Sequence, residues 1–373
     1  MAVVLQLSVQ HVSIEGGTVA EQSCKGQIYY PTSSTKSAFG ITRYHYDPPN
    51  AMPYDQIAPP EDFDPMTASD EQLVDANFSP RPADSKQLED WQIEAKRYAG
   101  ATAIVGGPMC SIADQSEKIT ESPTKSRSTV VTPQASVGHQ TLSNWSGYRD
   151  EGNGTGGFFR KVVGHFTQPN VSASSTTAVT NWIGLDGGSN NYTTLLQAGT
   201  VTHEGHNDGI VFWEAACGYG TPVCNAAQQP ITGSDGYAHP GDDVSMNVNY
   251  ADGSTSVNVR YQVAINGALI INIEQHYPRY VTSGSRAVFI TEKFPSVSLP
   301  GFTLIGFNAL RTYPTWDSSA GTYWGDQPFR SIILTVGGRE ATPPCDAVNN
   351  SDLIMYPYPV GNTSKTAFYN RQC

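Results

Sequence analysis

From residue 143 onward the sequence is a succession of short runs in which apolar and polar side chains alternate. They are VVGHFTQP, AVTNWIGLD, YTTLLQAGTV, DGIVFWEAAC, DDVSMNVNY, TSVNVRYQVAI, ALIINIEQ, RAVFITEKF, FTLIGFNALR and SIILTVGG, separated by Gly, Asn, Asp and Pro. A period of two sends successive side chains to opposite faces of a strand. Many such strands with turn signals between them predict an antiparallel β-sandwich or barrel, with almost no helix in this part. The 373 residues allow two domains, or one large β domain with an appendage.

Composition changes near residue 140. Upstream lie Pro- and Asp-rich turns (YDPPNAMPYDQIAPPEDFDP, 46–65), then a helical stretch over 69–100. Ser69 is its N-cap candidate, and Pro80 and Pro82 split it. Residues 111–142 are Ser/Thr-rich and almost without aromatics, which predicts an exposed, easily cleaved linker. The chain thus divides into a mixed, partly helical N-terminal region (1–110), a linker with a processing region (111–142) and an all-β sandwich (143–373).

The formal charge of −12 and the lack of any Lys/Arg cluster exclude nucleic acid and anionic membrane as partners. No run reaches transmembrane length. With only 22 Lys and Arg and 8 His, self-repulsion in acid stays modest, so the chain is expected to tolerate low pH. Its six cysteines show no CxxC and no zinc-like spacing, so disulfides are expected rather than metal. Cys217 with Cys224 would close a small loop, and Cys345 with Cys373 would tie down the C-terminal tail; the partners of Cys24 and Cys110 stay open. Sequons at Asn77, Asn144, Asn153, Asn170, Asn191, Asn349 and Asn362 fit a secreted glycoprotein. The start, MAVVLQLSVQHV, has no basic n-region, so a signal peptide is expected to have been removed or export to be unconventional.

Two polar residues look misplaced. In RAVFITEKF, Glu292 shares a face with Val288 and Ile290, and a carboxylate on an apolar face is a candidate for acid–base work. In TTLLQAGT, Gln197 shares a face with Leu195, and its amide needs partners. Trp182 (TNWIGLDGG) and Glu214 (VFWEAAC) add an aromatic and a second carboxylate on neighbouring strands. Each of these alone reads first as structural. HEGH (203–206) lacks the i,i+4 helical spacing of a zinc box, and His165, His239 and His276 are scattered surface or hydrogen-bonded residues.

Together the motifs say more. SNWSGY (143–148, with Trp145), TNWIGLDG (180–187), LLQAGT (195–200), FWEAA (212–216) and FITEKF (289–294) resemble, in order and spacing, the glutamic peptidases of the eqolisin (G1) family. The match covers roughly 143–310. The resemblance implies a two-sheet sandwich and an acid endopeptidase with a Gln–Glu dyad, Gln197 and Glu292. It puts Trp182, Asp186, Trp145 and, less closely, Glu214 in substrate-binding or supporting roles. It also makes the N-terminal region a propeptide, here an intramolecular inhibitor of a zymogen. Where similar sequences read AEFIIEDF, this chain has Val288 and Lys293, and its FWEAAC departs from WYEW, which bears on subsite shape.

Glu292 would then act as general base on a water and Gln197 as oxyanion donor, with no metal or other cofactor and with polypeptides as substrates of a monomer. Two other readings compete. A lectin-like carbohydrate-binding sandwich predicts no role for Gln197. A glycosidase would pair Glu214 or Glu274 with Glu292.

Overall fold

The structure, a computed structural model, describes Cys24 and residues 26–49, 51–99, 106–112, 138–142, 145–151, 159–172, 178–186, 194–203, 206–216, 225–230, 236–252, 255–278 and 282–293; beyond these it describes the strand segments 301–302, 305–313, 322–323, 330–337, 353–359 and 368–372. The N-terminal region supplies β1 (Gln27–Tyr29), β2 (Ser33–Lys36), β3 (Thr42–Tyr46), β4 (Tyr54–Ala58), helices α1 (Asp70–Asp75) and α2 (Ser85–Lys96), and β5 (Met109–Ile112). Then follow β6 (Gly138–Leu142), β7 (Trp145–Glu151), β8 (Lys161–Thr167), β9 (Val171–Ser172), β10 (Ala178–Leu185), β11 (Leu195–His203) and β12 (Gly209–Ala216). The middle of the chain gives β13 (Asn225–Pro230), β14 (Tyr237–Ala238), β15 (Asp243–Asp252), β16 (Ser256–Ile265), β17 (Ala268–Pro278) and β18 (Arg286–Lys293). The last strands are β19 (Gly301–Phe302), β20 (Ile305–Tyr313), β21 (Thr322–Tyr323), β22 (Arg330–Gly337), β23 (Leu353–Pro359) and β24 (Phe368–Gln372).

These strands build two packed, mostly antiparallel sheets, the sandwich that the alternation predicts. One sheet runs β1–β5–β13–β12–β11–β10–β18–β7–β22, and the other β20–β8–β15–β16–β17–β4–β3–β2. Strands β23 and β24 connect β22 to β20 along one side. The core between the layers takes alternate residues from each: Ile183, Leu196, Trp213 and Phe289 from the first, Phe166, Met246, Tyr261 and Ile273 from the second. The period-two pattern thus sorts side chains between this core and two outer faces.

Sequence and structure meet at α1, which begins where Ser69 predicts. The Ser69 side chain accepts from Gln72 N and the Gln72 side chain accepts from Ser69 N, a capping box that satisfies two helix-end donors. Strands occupy both ends of the stretch expected to be linker. β5 pairs with β13, and β6 pairs in parallel with β22, so secondary structure reaches in to 112 and resumes at 138. The N-terminal region is no separate body. Its β5 and β1 extend the first sheet past β13, its β4, β3 and β2 extend the second past β17, and its helices lie over the outer face of the second.

Candidate active site

The outer face of the first sheet holds the candidates. Its apolar floor comprises Trp145, Trp182, Leu195, Val201, Ile210, Phe212, Val288 and Ile290, all buried in the intact chain. Period two places Gln197 (β11), Glu214 (β12) and Glu292 (β18) on that same face.

Gln197 stands directly opposite Glu214, and its Nε2 donates to Glu214 Oε2 at 2.6 Å. Both side chains are nearly closed off, at 6% and 7% exposure. A carboxylate accepts and does not donate when ionised, so this contact turns the NH₂ end of the amide toward Glu214 and leaves Gln197 Oε1, buried and without a partner, on the other side. Glu292 is half-buried. Its Oε2 accepts from Trp182 Nε1 at 3.0 Å, and Trp145 lies opposite it on β7. Trp145 meets Trp182 edge to face at 5.1 Å, so the two indoles wall the carboxylate.

The motif glycines explain how Trp182 fits. Gly199 lies opposite Trp182 on β11, and a Cβ there would come within 2.1 Å of Asn181 O and 2.7 Å of the Trp182 Cβ. The indole side therefore requires glycine in LLQAGT. Gly147 of SNWSGY is needed in the same sense, since its Cβ would lie 2.0 Å from Phe289 O on β18.

Gln197 and Glu292 are not hydrogen-bonded to each other. Gln197 lies in the cross-strand row of Gly184 and Val288, Glu292 in the row of Thr180, and Trp182 occupies the row between. The structure thus joins Gln197 to Glu214 and Glu292 to Trp182, on one face with an indole between them. The sequence reading missed the Gln197–Glu214 contact, although FWEAA and LLQAG on adjacent strands were its available signal.

Asp186 is fully buried and turned toward the chain: its carboxylate accepts from the backbone N–H groups of Ser283, Gly284 and Ser285, and from the hydroxyls of Thr282, Ser283 and Ser285. Its φ of 63° ends β10 in a left-handed turn, which an Asp tolerates better than most residues. Asp186 thereby fixes the segment that leads into β18 and Glu292. Glu274, one half of the glycosidase alternative, lies in the other sheet, paired with Arg43 and Arg260, and cannot join Glu292.

Cys24 and Cys110 form a disulfide. Cys217, Cys224, Cys345 and Cys373 lie outside the described residues. The Asn77 sequon is not available to glycan: Asn77 is 2% exposed, and its Nδ2 donates to Asn272 Oδ1. Asn170 is exposed. His165 and His239 pair with Asp243 and Asp208, and His276 is exposed, as expected of surface or bonded histidines. Among the described residues no three His, Cys, Asp or Glu converge as a metal site.

Comparison with known proteins places this geometry. Residues 143–320 match the Peptidase A4 family. Among solved structures, the chain is similar to scytalido-glutamic peptidase in complex with a transition state analog inhibitor, at 19% identity and a TM-score of 0.44 over 62% of this chain and 98% of that one. It is also similar to SCP-B, a member of the eqolisin family in complex with the tripeptide Ala-Ile-His, at 19% identity and a TM-score of 0.42 over the same shares. A weaker likeness, 10% identity and a TM-score of 0.24 over 49% of this chain and 88% of that one, is to alginate lyase vAL-1 from Chlorella virus. No curated protein matches the sequence. Over residues 143–320, a little under half of its length, the chain is thus similar to the Peptidase A4 family of peptidases.

Proposed function

We propose that the protein is a secreted acid endopeptidase that cleaves polypeptides with Glu292 as general base and acid and Gln197 as oxyanion donor. The observation that carries this reading is that both residues face outward on one sheet, each held by a dedicated partner: Glu214 for the amide, Trp182 for the carboxylate. A scissile peptide lies over the Trp182 row, with a water on the Glu292 side. Glu292 takes a proton from this water as it attacks the carbonyl carbon. The Gln197 N–H not bound to Glu214 donates to the developing oxyanion, a contribution of about 3 kcal/mol if it acts like other such donors. Protonated Glu292 then gives its proton to the leaving amine. A carboxylate base works best near the ordinary carboxylate range, about pH 4, which sets an acid optimum.

The chain is proposed to be made as a precursor, activated by cleavage between residues 113 and 137. The Ser/Thr-rich composition of that segment supports a cleavable connection. The test is hydrolysis of a denatured protein substrate from about pH 2 to about pH 7 by cleaved wild type and Gln197→Ala, beside an acidic polysaccharide. Acid-limited proteolysis, resistant to pepstatin and to a chelator and lowered about 10²- to 10³-fold in Gln197→Ala, supports the reading. Polysaccharide cleavage without proteolysis sinks it.

The Gln197–Glu214 contact favours a second assignment, in which Glu214 is the base. It predicts that Glu214→Gln, not Glu292→Gln, abolishes turnover.

A further inference from the structure

We propose that residues 24–112 are a permanent part of the folded enzyme, and that they stay docked on the sandwich after the chain is cut between 113 and 137. The inference is independent of the chemistry at the active site. It rests on how this unit closes one open side of the sandwich.

A two-layer sandwich has edges where its core meets solvent unless something covers them. Here β13 ends the first sheet and β17 the second, and both are completed by N-terminal strands. Ser111 and Cys110 of β5 pair with Gln228 and Gln229, and Tyr54 and Gln56 of β4 pair with Gln275 and Ile273. Between the two seams the N-terminal unit inserts Tyr29, Tyr46, Tyr54 and Met109 into the inter-sheet core. Tyr54 packs edge to face on the fully buried Trp213 at 4.8 Å and stacks on Tyr46 at 5.0 Å. The disulfide Cys24–Cys110 makes this plug one cross-linked piece. Its polar ends are also matched: Tyr29 OH donates to Gln228 Oε1, Gln228 Nε2 donates to Ser111 Oγ at 3.0 Å, and Gln275 Nε2 donates to Met52 O at 2.8 Å.

The rest of the contact is of another kind. Over the outer face of the second sheet, Glu94, Arg97 and Arg43 of the N-terminal unit pair with Lys161, Asp243 and Glu274. Each of these pairs joins a carboxylate to a cation, and the Arg97–Asp243 pair is partly exposed. The plug contains no such group among Tyr29, Tyr46, Tyr54 and Met109. The plug holds by burial of aromatic surface, which carries no charge to lose in acid, so docking survives acid.

The experiment replaces part of 113–137 with the site of a sequence-specific protease, cuts the folded full chain, and follows the two fragments by gel filtration at about pH 7 and about pH 4. Equimolar co-elution at both, with separation only in denaturant, is expected. Fragments that separate at either pH without denaturant overturn the proposal. Two variants tell plug from ion pairs: Tyr54→Ala is expected to raise the dissociation constant at least about tenfold, and Arg97→Ala to leave it nearly unchanged. The reverse order would show that the surface pairs hold the unit, and would also overturn it.

Discussion

At the residue scale the site depends on partners that hold reactive groups still. Glu214 fixes the plane of the Gln197 amide through one hydrogen bond, so Glu214→Gln leaves the shape and lets the amide turn over. The expected result is a fall in kcat of about a hundredfold with KM and thermal stability little changed. A steady-state kinetic comparison checks it, and unchanged kcat would remove Glu214 from the positioning role. Asp186 has the opposite profile. It is far more important to the fold, because its loss strands several buried donors at the entry to β18. Asp186→Ala is expected to cost about 3 kcal/mol or more in urea unfolding. The sequence singled out both residues, yet their roles were not legible in it. Asp186 sits in a motif beside Trp182 and looks like part of the substrate surface, while its donors come from residues almost a hundred positions later. No local pattern carries such a partnership.

At the element scale the strands were the legible part. Alternation alone names β10, β11, β12, β16, β17 and β18 and assigns their faces, because a one-residue slip would exchange core and outer side chains. The capping box of α1 was legible for the same reason, being local. Register was not legible, and it decides which residues meet: Gln197 opposite Glu214, Glu292 opposite Trp145, Gly199 opposite Trp182. Gly199 states the dependence most sharply. Gly199→Ala drives a Cβ into the Asn181 carbonyl and the base of Trp182, with an expected cost of at least about 2 kcal/mol and a displaced indole. Denaturant titration followed by tryptophan fluorescence reads both, and a variant with wild-type stability and spectrum would contradict the close approach.

At the scale of the whole molecule, one sheet presents the chemistry, and the N-terminal unit extends both sheets along one side and covers the outer face of the other. Composition announced two parts but not their union, since edge pairing of β4 with β17 and of β5 with β13 leaves no signature in strands of four or five residues. The same scale sets the response to pH. Burial pushes the Asp243 carboxyl up, but the hydrogen bond and charge of His165 and the charge of Arg97 outweigh it and hold Asp243 below its ordinary value. A depressed carboxylate contributes stability above its unfolded value, about pH 4, and loses it as pH falls through the folded value. His45 is raised, chiefly by its hydrogen bond to Asp55, so its contribution is full below about pH 6.5 and fades as pH rises through its folded value. Stability of the full chain is therefore expected to be greatest between about pH 4 and about pH 6.5, with Asp243→Asn flattening the acid limb. Urea midpoints measured across pH check both statements.

The central claim is that Glu292 moves the proton. Its most direct measurement is the pH profile of kcat/KM for the cleaved enzyme and for Glu292→Gln, on one peptide substrate, with unfolding followed in parallel. The account predicts that Glu292→Gln loses about 10²- to 10⁴-fold at every pH while its unfolding transition stays near that of wild type, because the amide keeps the shape and the Trp182 contact but cannot accept a proton. A Glu292→Gln enzyme that keeps the wild-type acid profile would contradict the claim and move the base to Glu214.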